Sequence, residues 1–107
     1  MAYDHALADR VRACLPPSAT EQEMFGGIGF LINGNMACGV LGGDLIVRVG
    51  ADAYDAALEE SHVRPFDYTK RPMRGWVYVA PTGLTNEEDL ADWVSRSIGF
   101  AGSLRAK

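Results

Sequence analysis

With 107 residues and a mass of 11.6 kDa, the chain has room for one domain with its own core and not for two. Apolar residues make up 48% and charged residues 22%, which excludes large-scale disorder, and no apolar run nears the about 20 residues of a membrane span. A net charge of -4 with a pI near 5.0 argues against a free-standing nucleic-acid binder, which neutralises phosphates with a basic face.

The N-terminal run MAYDHALADRVRA mixes charges and has no apolar secretory stretch, so a cytoplasmic protein is expected. Residues 4–15 read as a helix. Asp4 can cap its start, and Leu7, Val11, Cys14 and Leu15 share one face of the 3.6-residue period. Pro16 and Pro17 stop it, because neither can donate the helical hydrogen bond. Residues 18–23 read as a polar connector.

Next comes MFGGIGFLINGN, with four glycines in twelve residues. A phosphate cradle needs a helix N-terminus after the glycine turn, and a strand follows here instead. Its spacing is neither G-x-G-x-x-G nor G-x-x-x-x-G-K-[ST]. The glycines are therefore expected to bend or bulge the chain as it enters a sheet, or to admit another backbone closely. Residues 25–32 form the strand, with Ile28, Phe30 and Ile32 on one face. Asn33-Gly34 is a hairpin turn of the kind that needs positive φ at both central positions.

Residues 36–41 return as a second strand, Gly42-Gly43 turns the chain, and residues 44–49 (DLIVRV) form a third. Leu45, Val47 and Val49 face one way there, and Ile46 and Arg48 the other. Residues 51–61 read as a helix with Tyr54, Ala57 and Leu58 inward. Residues 62–70 return to extended structure around Val63, Phe66 and Tyr68, residues 75–80 form a clear strand, and Pro81-Thr82-Gly83 breaks it. In the last helix Thr85 and Glu88 fit a T-x-x-E capping box, and Leu90, Trp93, Val94, Ser97 and Ile98 form a core-facing stripe. Gly99 and Gly102 weaken its end. The order is α-β(3)-α-β(2)-α, an α+β domain spanning residues 1–107, whose antiparallel sheet needs helices over at least one face.

No catalytic, cofactor-binding or metal-binding set emerges. His5 and His62 lack a ligand partner at a recurring spacing. Ser18, Ser61, Ser95, Ser97 and Ser103 have no nearby base, and the pairs Glu59-Glu60 and Glu87-Glu88 read as solvated helix faces. Cys14 and Cys38, each among apolar neighbours, read as reduced, buried thiols. The unusual charge feature is Arg64, Lys70, Arg71 and Arg74, four of ten basic residues, interleaved with Phe66, Tyr68 and Trp76. It reads either as a surface for an acidic protein partner or as a solvated turn beside core aromatics.

Taken in order, MFGG-x-G-F, the hairpin, DLIVRV, F-x-Y, PMRGWVYV and the terminal L-x-x-W-V resemble the N-terminal domain of the TfoX/Sxy family over nearly the whole chain. The resemblance implies a secretion-chaperone-like α-β(3)-α-β(2)-α fold and a bacterial cytoplasmic protein linked to competence-gene regulation. Longer members act with a cyclic-AMP-responsive transcription activator and carry a helical C-terminal domain, so a stand-alone N-terminal domain is expected here. The resemblance brings no catalytic residues with it.

The first functional expectation is a non-enzymatic regulatory interaction module that acts through a protein partner in transcription, as a homodimer and without a cofactor or membrane. The second is a small-molecule site or an unrecognised enzyme, with a pocket between sheet and helices lined by Trp76, Tyr78, Arg48 or Cys38. The third is direct DNA contact through Arg64, Lys70, Arg71 and Arg74.

Overall fold

Asp4 accepts a hydrogen bond from the Leu7 backbone N–H at 3.1 Å and so begins α1, His5–Ala13, in a computed structural model that describes residues 3–24 and 26–106. Leu7, Ala8 and Val11 are the buried stripe of this helix. The polar stretch that follows is not a connector throughout. Thr20–Met24 is a strand, β1, which pairs antiparallel with β2, Gly27–Ile32, from Thr20↔Leu31 to Met24↔Gly27. Four of its five side chains are exposed, so no alternation of apolar residues reveals it. Its backbone pairing alone makes it a strand.

The β1–β2 hairpin closes on Met24 and Gly27, with Gly26 at its tip in the left-handed region (φ 79°). The expected strand start at Phe25 lies outside the described residues. Gly27 sits against β3, Asn35–Leu41, so closely that a Cβ there would lie 2.2 Å from the Val40 carbonyl oxygen. The close-approach reading of the glycines therefore holds at Gly27. Register instead shifts between Phe30 and Leu31, where Leu31 pairs with Met36 and leaves Ala37 as the extra residue. Asn33 (φ 54°) and Gly34 (φ 82°) make the expected turn between β2 and β3.

β4, Asp44–Arg48, pairs with β3, and α2, Ala51–Leu58, buries Tyr54 and Ala57. The extended segment expected over 62–70 is shorter, with β5 confined to Val63–Pro65. β6, Trp76–Val79, returns between β4 and β5. The six strands run β1-β2-β3-β4-β6-β5, all antiparallel. A 3-10 turn, Pro81–Gly83, leads to α3, Glu87–Gly102. The cap of α3 is Asn86, whose side chain accepts from the Glu88 N–H at 2.7 Å, and not Thr85 as the capping box suggested. Asn is as strong an N-cap as any residue, so it wins over the Thr one position earlier. Leu90, Trp93, Val94 and Ser97 are buried as expected and Ile98 partly so, while the helix passes through Gly99 to Gly102.

The α+β class and the helix-packed antiparallel sheet are those expected, with one strand more: α-β(4)-α-β(2)-α. Helix residues pack with Ile28, Phe30, Cys38, Val40, Leu45, Val47, Val77 and Val79 in one core. Because side chains alternate, those strand residues define one face of the sheet. The bulge lets Ala37 join Cys38 on that side, where Ala37 clusters with Ala101 of α3. Leu31, Met36, Leu41, Ile46, Trp76 and Tyr78 belong to the other face.

Candidate functional site

Of the four basic residues singled out, two are held by acidic partners. Arg64, on β5, donates from Nη2 to Asp44 Oδ2 at 2.7 Å, and its guanidinium lies 4.4 Å from the Tyr78 ring centroid. The Asp44 bond raises the Arg64 pKa, and burial raises that of Tyr78. Arg74 reaches the other side of the sheet, toward α2, where it makes a looser contact with Asp55 at 3.3 Å and lies over Tyr54. Both partners of that pair are more than half exposed, so the contact adds little to stability.

Lys70 and Arg71 are exposed and, among the described residues, form no ion pair. They sit at the turn of the β5–β6 loop, residues 66–75, where Lys70 adopts a left-handed φ of 70°. The same loop holds the two exposed large apolar residues identified among the described ones, Tyr68 at 47% and Met73 at 38%. Phe66 anchors the loop: it is buried on the outer sheet face, packs edge-on against Tyr78 at 5.0 Å and stacks with Tyr68. The loop thus has a fixed apolar root and a cationic, half-apolar tip.

Several other side chains with chemical potential are held in structural contacts. Cys38 is buried, and burial pushes its thiol up to about 12 despite the neighbouring Ser97 hydroxyl. Ser97 donates to the Val94 carbonyl at 2.7 Å. Both cysteines are free thiols, Cys38 buried and Cys14 half-buried. His62 Nδ1 lies 2.9 Å from Thr82 Oγ1, and His5 stacks on Tyr3. Glu60 pairs with Arg96, and Glu87 with Arg10. Among the described residues no group of three or more His, Cys, Asp or Glu is placed to hold a metal ion. No helix among them is long and apolar enough to cross a membrane.

A groove of about 450 Å³ does open, but between α2 and α3. Val49, Ala53, Ala56, Gly99 and Phe100 line it, together with the Glu60–Arg96 ion pair. Its walls are not the expected Trp76, Tyr78, Arg48 or Cys38. Arg48 is instead held between the rings of Trp76 and Phe100, 5.0 and 5.4 Å from their centroids, and donates to the Met36 carbonyl. The groove exists because α2 and α3 carry small residues where they face each other, a feature that composition does not display.

An open antiparallel sheet with three helices packed on one face, and with its distinctive side chains at an exposed loop, defines a one-sided α+β domain. The family model described as the TfoX N-terminal domain matches residues 13–101, and the chain belongs to that family. The search of curated proteins and the search of solved structures each returned no match.

Proposed function

We propose that the chain is a cytoplasmic, non-enzymatic regulatory module of the TfoX type that acts through a protein partner in transcription, competence genes being the process the family suggests. The observation that carries this reading is the β5–β6 loop, where exposed Tyr68 and Met73 flank the exposed cations Lys70 and Arg71. A surface that combines aromatic area with two cations in no ion pair among the described residues, offset within the loop only by Asp67, suits an acidic protein segment. Arg64 and Arg74 lie on opposite sides of the sheet with acidic partners of their own, which disfavours one broad basic patch for duplex DNA.

The test is a photo-crosslinking residue in place of Tyr68, used in the native cytoplasm. A crosslink to a transcription-regulatory protein that disappears in the Lys70→Glu/Arg71→Glu double variant is expected. Crosslinks that survive the charge reversal, or that reach no such protein, overturn the reading.

Self-association belongs to the same proposal. Leu31, Met36, Leu41 and Trp76 lie half-buried on the sheet face away from the helices, and a second copy would cover them. Light scattering at micromolar concentration should give a dimer mass, and a monomer mass refutes it. The α2–α3 groove supports a second reading, a small apolar ligand. A flat thermal-shift response across nucleotides and metabolites would remove it.

A further inference from the structure

We propose that the open edge of β1 is a docking site for an extended segment of another protein in which basic residues alternate with apolar ones. This surface lies at the opposite end of the sheet from the β5–β6 loop, so the inference stands whether or not that loop binds a partner.

The two edges of the sheet are unequal. At β5 only three residues pair, and one is Pro65. Phe66 N–H donates to the Trp76 carbonyl and the Ala80 N–H to the His62 carbonyl, so even-numbered residues there bond to β6. Pro65 therefore occupies an outward position and offers no N–H to an incoming strand. By contrast, β1 is five residues long, contains no proline, and keeps an unbroken register with β2.

Met24 and Gly27 flank a two-residue turn, so they form the hydrogen-bonded pair that closes such a hairpin. Alternation gives Gln22↔Gly29 and Thr20↔Leu31 the same state. The N–H and C=O groups of Glu21 and Glu23 then face away from β2. Among the described residues, no backbone bond outside the helices and strands reaches them.

Side chains specify the occupant. Glu21 and Glu23 project on the helix side, beside Phe30 and Ile28 in register, and Asp9 lies close by. Arg12 is the cation that bonds both Asp9 and Glu21, which leaves that rim negative. A strand paired with β1 would place alternate residues on this side, where lysine or arginine is favoured. Its intervening residues would fall on the opposite face, next to Thr20, Gln22 and Met24. There Met24 and Met36 lie over the bare backbone of Gly29, and Met36 also over that of Gly39, an adaptable apolar bed. A second copy fits poorly: antiparallel pairing about Gln22 sets Glu21 of each copy opposite Glu23 of the other.

The probe is a labelled TKVKVKVT peptide, with TEVEVEVT as its control. With TKVKVKVT, the Glu21 and Glu23 amides should shift and exchange more slowly, in a salt-sensitive way. Glu23→Pro removes one outward N–H and spares the bonds to β2, and it should weaken binding about tenfold or more with the fold intact by circular dichroism. Glu23→Lys should weaken TKVKVKVT and admit TEVEVEVT. The Lys70→Glu/Arg71→Glu variant should keep wild-type affinity for TKVKVKVT, which separates this site from the loop. Undiminished binding to Glu23→Pro, equal binding of both peptides to the wild type, shifts confined to the loop or the α2–α3 groove, or no binding at millimolar peptide would each overturn the proposal.

Discussion

The Arg12 guanidinium grips both carboxylate oxygens of Glu21, with Nε to Oε2 at 2.6 Å and Nη2 to Oε1 at 3.0 Å. This forked contact ties α1 to the outermost strand, which has almost no side-chain packing of its own. The Arg12 hydrogen bond holds the Glu21 carboxyl below its ordinary range. A depressed carboxylate contributes stability above the unfolded value, about 4.3 for glutamate, and loses it as pH falls through the folded value.

Glu21→Gln should therefore lower the urea midpoint at neutral pH, and the difference from the wild type should vanish in acid. Because the pair is largely exposed, the effect is small and should shrink further in high salt. Equilibrium unfolding from pH 7 down to pH 2 checks both statements.

Gly27→Ala and Gly99→Ala should move stability in opposite directions. The first drives a methyl into the Val40 carbonyl, an obstacle of backbone that cannot swing aside, and should cost about 3 kcal/mol or prevent folding. The second adds a methyl where nothing lies within 4 Å, on an exposed turn of α3, and should stabilise by about 0.5–1 kcal/mol. Urea denaturation of the two variants decides the matter.

Asn86→Ala should cost about 1 kcal/mol, whereas Thr85→Ala should be close to neutral. The reverse ranking in thermal melts would restore the capping box at Thr85.

Cys38 should resist iodoacetamide at pH 8 in the folded protein and react only on unfolding, while half-buried Cys14 is alkylated first. The raised Cys38 pKa also favours the folded state below the ordinary thiol range, and that contribution falls as pH rises toward about 12. Mass spectrometry of the alkylated peptides, with and without denaturant, reads the order.

Most of the layout was legible because it rests on side-chain pattern: the 3.6-residue stripes of α1 and α3, the alternation in β2 and β4, and the Asn33-Gly34 turn. β1 was not, since TEQEM sits at an edge with most side chains in water, and burial leaves no imprint on such a segment. The shift at Phe30/Leu31 was hidden because Met36-Ala37-Cys38 reads as an ordinary strand until its partner is known. Among the four basic residues, no local signal showed that Arg64 would meet Asp44, 20 positions away, or that Arg74 would meet Asp55. Tyr68, Lys70 and Arg71 stand out in the sequence, but the exposure of Met73, and which of the loop's cations stay out of ion pairs among the described residues, are properties of the tertiary fold.

Pro65 gives the sheet a direction. Strands can join it at the β1 end, while the far end is three residues long and lacks one of its outward donors at Pro65. Head-to-tail stacking of copies would join β1 of one to β5 of the next, and Pro65 weakens that link every time it is made, a bias against open-ended fibres.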